Sequence, residues 1–184
     1  MSSKTIDDTQ LFIEHGIHIP TQTIMLTGEV NESMYETLVL GLTLIKARKN
    51  GSTDVVVELN SHGGCWYSGI AIHDRIKACN FPVTVRVAGA AMSMASVILQ
   101  AADKRLITPG STVMVHDGSE VLEGSPENVM AWAKHSKDIC DYMYKIYAEA
   151  SGKSVTYWKR KCKKDFILSA EQAIKAGLAD GYID

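Results

Sequence analysis

The sequence predicts an α/β fold built around a largely parallel sheet, and three observations predict it. Short β-branched runs alternate with longer segments of helical period. Glycine-bearing loops stand where several of those runs give way to helices. The 184 residues, 46% of them hydrophobic, suffice for one domain that buries its own core without disulfide or metal staples, and no repeat, linker or low-complexity tract divides them.

A first strand is expected from Thr23 to Thr27. Gly28 then leads into a helix over 34–49, where Met34, Leu38, Leu42 and Ile45 recur at helical spacing and Gly51 closes the segment. Val55, Val56, Val57 and Leu59 form a near-continuous apolar strand that ends at Asn60-Ser61-His62-Gly63-Gly64, with a helix over 68–78 behind it. Pro82 opens a strand over 83–87, which passes through Gly89 into a small-residue helix over 93–102; Asp103-Lys104 breaks that pattern. A fourth strand, 112–115, ends at His116. A Gly/Ser/Glu-rich excursion follows, then a long helix around 126–151. The remainder reads as a segment over 155–164, a short Phe166-Ile167-Leu168 run, and a helix opened by Ser169 with Gln172 at capping-box spacing.

Composition excludes several function classes. Nineteen basic against 21 acidic residues give a net charge of −2 with no basic stripe, so nucleic acid is not expected as a partner. Cys65, Cys79, Cys140 and Cys162 are widely spaced without a C-x-x-C pair, which suits reduced thiols in a cytoplasm-like compartment and offers no zinc site. The start, MSSKTIDDTQ, lacks the features of a secretory signal, and no stretch reaches the roughly 18 apolar residues of a membrane helix. A soluble, unexported protein is expected.

The chemistry-bearing residues fall at strand ends, where open α/β sheets gather their ligand sites. Gly63-Gly64 follows one strand, Ser93 follows another at the first turn of a helix, and His116 closes a third. A nucleophilic hydroxyl needs a base within hydrogen-bond reach, and the base needs a carboxylate to hold its tautomer. Ser93 and His116 meet if their strands are neighbours. Backbone N–H groups after Gly63 and Ser93 could receive an oxyanion, with glycine permitting close approach. Asp117 is adjacent to His116, but neighbours on a strand point to opposite faces, so a more distant acid suits the geometry better. His62, also at a strand end, competes for the role of base.

Five segments together resemble the ClpP family, the proteolytic subunits of Clp protease. Gly89-Ala90-Ala91-Met92-Ser93-Met94-Ala95-Ser96 resembles its nucleophile motif, Pro109-Gly110-Ser111-Thr112-Val113-Met114-Val115-His116 its histidine motif, and Asp165-Phe166-Ile167-Leu168-Ser169-Ala170 its aspartate motif. Asn60-Ser61-His62-Gly63-Gly64 is similar to its oxyanion turn, and Ile24 to Val30 to its first strand. The resemblance implies a single ClpP/crotonase-like domain of repeated ββα and βα units over 22–184, preceded by a divergent axial-loop-like segment over 1–21. It implies Ser93 as nucleophile, His116 as base, Asp165 as its partner, and Gly64 and Met94 as backbone donors to the oxyanion, with no metal or organic cofactor. It also implies a cytoplasmic homo-oligomer, a heptameric ring or a tetradecamer. That assembly would degrade unfolded polypeptides delivered by an AAA+ Clp unfoldase of the ClpX, ClpA or ClpC type, the ATP being used by that partner.

Alternative readings are a noncatalytic ring subunit and a crotonase-like acyl-CoA enzyme. The chain departs from the family at His62, where a proline is usual, and over 117–124, where a glycine-rich strand is usual and two added acids could repel symmetry mates. Other signals read as structural. Gly152-Lys153-Ser154 ends like a phosphate loop but follows a helix and lacks the leading glycine; His15 and His18 could share a helix face but have no further ligand nearby. Trp66 and Tyr67 either line a substrate cleft or pack. Tyr142, Met143, Tyr144, Ile146 and Tyr147 form a packing stripe expected between subunits.

Overall fold

Alternating strand and helix segments become a sheet of eight strands in the computed structural model, which describes residues 7–48 and 54–183. A short helix α1 (Asp8–His15) and strand β1 (Ile17–His18) precede β2 (Thr23–Val30) and α2 (Glu32–Arg48). Next come β3 (Val55–Gly64), α3 (Trp66–Lys77), β4 (Val83–Met92) and α4 (Met94–Leu99). After β5 (Lys104–Ile107) and β6 (Thr112–Val115) the chain forms α5 (Pro126–Ser151), α6 (Val155–Lys161), β7 (Phe166–Ser169), α7 (Ala170–Ala176) and β8 (Gly181–Tyr182). The order β1-β2-β3-β4-β5-β8 is parallel except at β1, while β6 pairs parallel with β4 and antiparallel with β7.

Helix ends follow local chemistry. Asn31 Oδ1 accepts from Met34 N–H at the start of α2, and Ser125 Oγ with Pro126 opens α5. Gly152 ends α5 in the left-handed region, and Ser154 caps α6, so the Gly-Lys-Ser run is a helix-to-helix joint. The Ser169/Gln172 capping box at α7 is present in both directions. The expected closure of α2 at Gly51 lies outside the described residues. His15 and His18 do not share a helix face: Gly16 ends α1 between them and His18 lies in β1.

Met34, Leu38, Leu42 and Ile45 of α2 are buried with Val55, Val57 and Leu59 of β3 and Val83, Val85 and Val87 of β4 in one core. The intervening β3 and β4 residues are not fully buried, and Glu58 pairs with Arg86 at 3.0 Å across that second face. The near-continuous apolar run of β3 is therefore covered on one face only. The 142–147 stripe also differs from expectation. Met143, Tyr144, Ile146 and Tyr147 are buried inside this chain's own core and only Tyr142 is exposed, because α5 lies over α4 and α6 along its second half.

Strands β3 and β4 run on well past the expected 59 and 87. Each crosses a register shift rather than stopping, between Leu59 and Ser61 in β3. Around that shift β4 changes partner, pairing with β5 over Thr84 to Val87 and with β6 over Ala90 to Met92. Amide groups displaced from the ladder find side chains instead: Gly89 N–H donates to Ser111 Oγ (2.8 Å) and Ala90 N–H to Asn60 Oδ1 (3.1 Å). Gly89 has φ 106°, and a Cβ there would lie 2.7 Å from Asn60 Oδ1.

The helical pattern has ended before Asp103, as expected, with α4 stopping at Leu99, and Asp103 then takes on a further role. Its backbone N–H and carboxylate grip the first residue of β4, with Oδ2 accepting from Val83 N–H at 2.8 Å, and so they start β5. Arg105 of β5 is nearly buried. Its guanidinium pairs with Asp180 and donates to Gln100 Oε1 (2.8 Å), Gly177 O (2.9 Å) and Ala150 O (3.2 Å), carbonyls left open near the ends of α7 and α5. Desolvation pushes the Asp180 carboxyl up, but the Arg105 hydrogen bonds and charge outweigh it and hold it below its ordinary range.

Arg105→Met should lower unfolding free energy by about 2–4 kcal/mol in urea titration, since it strands several buried acceptors. Because the folded Asp180 binds its proton more weakly than the unfolded chain does, its contribution is complete above about pH 4 and fades as the pH falls through the lower folded value. The gap between wild type and Arg105→Met should narrow in acid; a gap independent of pH between 3 and 7 would contradict this.

Candidate active site

Sheet register brings three distant residues into one line. Met92 of β4 is opposite Met114 of β6, and Val115 of β6 is opposite Phe166 of β7. The residues just beyond these pairs are Ser93, His116 and Asp165, so all three leave the same end of adjoining strands. Ser93 N–H donates to Met114 O at 2.8 Å, which fixes the turn against β6.

Ser93 Oγ lies 2.8 Å from His116 Nε2, and His116 Nδ1 lies 3.0 Å from Asp165 Oδ1. An ionised carboxylate only accepts, so Nδ1 carries the ring proton, and in the neutral imidazole Nε2 then accepts from the serine hydroxyl. His116 is mostly covered, whereas the Asp165 side chain is 64% exposed, which leaves its second oxygen open to water.

Ser93 is the residue before α4 and has φ 51° and ψ −123°, a conformation that L side chains rarely adopt. It is held from beneath: Ser96 Oγ donates to Ser93 O (2.6 Å) and accepts from Tyr147 O–H (2.7 Å), both fully buried. Gly63 packs directly against this turn. A Cβ on Gly63 would lie 2.7 Å from Ser93 Cβ and 2.8 Å from Met92 O, and one on Gly64 would lie 2.4 Å from Val30 O. Both glycines have positive φ, 103° and 150°. The first residue of α4, Met94, has an N–H with no intrahelical acceptor, and Gly64 and Met94 both face the cavity that contains Ser93 and His116.

That cavity, about 440 Å³, has Trp66, Met94, Ile139 and Met143 as apolar lining, with Glu120 and Lys137 also on its wall. Trp66 therefore lines the cleft, but Tyr67 does not; its hydroxyl is 3.1 Å from His135 Nε2. Asp117 is turned away from the imidazole. Its N–H donates to Cys162 O (2.9 Å), Tyr144 O–H donates to its Oδ1 (2.5 Å), and Lys163 Nζ is 3.6 Å from Oδ2. Burial, and then the Asp117 carboxylate, raise the Tyr144 phenol, so it stays a donor. His62 is exposed, lies outside the cavity, and is not the hydrogen-bond partner of Ser93. Sequence reasoning missed Asn60, Ser96 and Ser111 as supports of the site. Their one signal is that each is a small polar residue inside an otherwise apolar or glycine-rich stretch.

Residues 15–184 match the family model described as Clp protease. Among curated proteins, the chain is 31% identical over 163 residues to an ATP-dependent Clp protease proteolytic subunit of Deinococcus radiodurans, spanning 88% of this chain and 80% of that protein. It is also 31% identical over 162 residues to a protein of the same description from Ligilactobacillus salivarius, spanning 87% of this chain and 82% of that one.

The Ser93 backbone makes a stability prediction that separates fold from chemistry. Glycine relieves a strain of about 1–3 kcal/mol that alanine keeps, less about 0.4–1 kcal/mol for the looser unfolded chain. Ser93→Gly should therefore be more stable than Ser93→Ala by about 1 kcal/mol in denaturant titration; the reverse order would show that the turn is unstrained.

Proposed function

The chain belongs to the Clp protease family, a family of serine peptidases, and from that premise we propose that Ser93, His116 and Asp165 together cleave peptide bonds of unfolded polypeptides. The observation that carries this reading is the unbroken hydrogen-bonded chain from Ser93 Oγ through both nitrogens of His116 to Asp165, lying beside the Gly63-Gly64 turn.

Ser93 Oγ attacks the carbonyl carbon while its proton passes to His116 Nε2. The resulting oxyanion takes hydrogen bonds from the N–H groups of Gly64 and Met94, and the imidazolium is stabilised by Asp165. The C–N bond then breaks as Nε2 returns the proton to the leaving amine. Water, deprotonated by the same nitrogen, attacks the acyl-enzyme and frees the carboxylic acid and Ser93. No metal or organic cofactor enters these steps.

The assembly follows the family. The subunit forms a homo-oligomeric ring, a heptamer or two stacked heptamers, in the cytoplasm, and works with an AAA+ Clp unfoldase that uses the ATP. Among the described residues no helix is long and apolar enough to cross a membrane. Residues 116–123 form no regular structure, and Glu120, Val121 and Glu123 are exposed there, so any ring stacking through this region differs from a strand-mediated one.

The test joins native mass to peptide-ester hydrolysis. Wild type should run as a large ring and turn over the ester, Ser93→Ala should lose about 10⁴-fold or more in kcat, and Asp165→Asn about 10²–10⁴-fold, the smaller end reflecting its exposure to water. A ring without turnover would make this a noncatalytic subunit, and undiminished turnover in Ser93→Ala would remove the nucleophile assignment.

A further inference from the structure

The outer wall of the cavity beside Ser93 comes from a part of α5 that the core does not hold. Residues 126–139 are exposed or only half-buried, whereas the buried residues of the helix begin at Met143. Yet Lys137 and Ile139 line the cavity together with Met94, so the position of this half-helix bears on how wide the cavity is. Among the described residues, one side-chain hydrogen bond joins 126–139 to the body of the fold: Tyr67 O–H with His135 Nε2, 3.1 Å apart.

The two rings also lie face to face, with centroids 6.4 Å apart and planes 14° from parallel, and Trp132 meets the edge of His135 one turn earlier. About two turns further along α5, Trp66 and Tyr142 make an edge contact at 6.5 Å. Tyr67 sits in the first turn of α3, three residues beyond Gly64, so the contact spans from the oxyanion turn to the opposite wall.

We propose that the Tyr67–His135 pair is a positioning strut that sets the width of the cavity, and through it the size of the substrate side chain accepted next to the scissile carbonyl. It rests on the reading of Ser93 as nucleophile and adds a specificity determinant that does not itself touch the reacting atoms. The apolar inner lining gives large apolar side chains their advantage, and the strut maintains it by keeping Ile139 against the side chain that Trp66 and Met94 receive.

The experiment compares esters of a short peptide ending in leucine or alanine as the acyl residue, using the assembled protein. In Tyr67→Phe, which removes only the hydroxyl, and in His135→Ala, the leucine-to-alanine ratio of kcat/KM should fall about threefold to tenfold, carried by KM of the leucine ester. His135→Gln, whose amide oxygen can accept the Tyr67 proton, should recover at least half of the loss. Unchanged ratios in Tyr67→Phe and His135→Ala, or a loss carried by kcat alone, would overturn the strut. Labelling of wild-type Ser93 by a fluorophosphonate separates the two levels of the argument: without it the nucleophile assignment falls, and the strut with it.

Discussion

The change of partner in β4 is the constraint on which the site depends. A straight β4 would stay beside β5 and deliver Met92 to a position with no histidine near it. By bending at Gly89 the strand leaves β5 and meets β6, and the pairing of Met92 with Met114 then sets Ser93 beside His116. Asn60 and Ser111 make that bend affordable by accepting the two amides it takes out of the ladder. Antiparallel β7 completes the line, because the residue before Phe166 must fall opposite the residue after Val115.

The same closeness of packing governs the Gly63-Gly64 side. Gly63 and Gly64 lie too close to Ser93, Met92 O and Val30 O for any side chain, so the backbone of β3 reaches the Ser93 turn directly. The strained conformation of Ser93 then points its hydroxyl out of the sheet toward the imidazole, and the buried Ser96–Tyr147 pair keeps the turn from relaxing. Rigidity is thus concentrated under the serine, while the acid at the far end of the chain, Asp165, remains open to solvent.

Much of this was legible in the sequence where local chemistry decides the outcome. Apolar spacing in α2 and the Ser169/Gln172 capping box are local signals, and the structure follows them. The argument that Asp117 must point away from its neighbour also holds, since Tyr144 and Lys163 take its carboxylate. What local signals could not supply was register. The length of β3 past Leu59 and of β4 past Val87 depends on bulges that only tertiary pairing reveals. Strand β5 was hidden because Lys104 and Arg105 look like loop residues until Asp180 and the open carbonyls of two helices are in place around the arginine. The 142–147 stripe packs inside the chain rather than between subunits for a related reason: its apolar period shows that it packs, not against what.

The most direct test of the central claim asks whether one small molecule can join the serine and the histidine. A peptidyl chloromethyl ketone should form a hemiketal with Ser93 Oγ while His116 Nε2 displaces its chloride, and peptide mapping by mass spectrometry should find His116 alkylated at a rate that collapses in Ser93→Ala. Alkylation confined to His62 or Cys65, with His116 untouched, would contradict the register that brings the two side chains together.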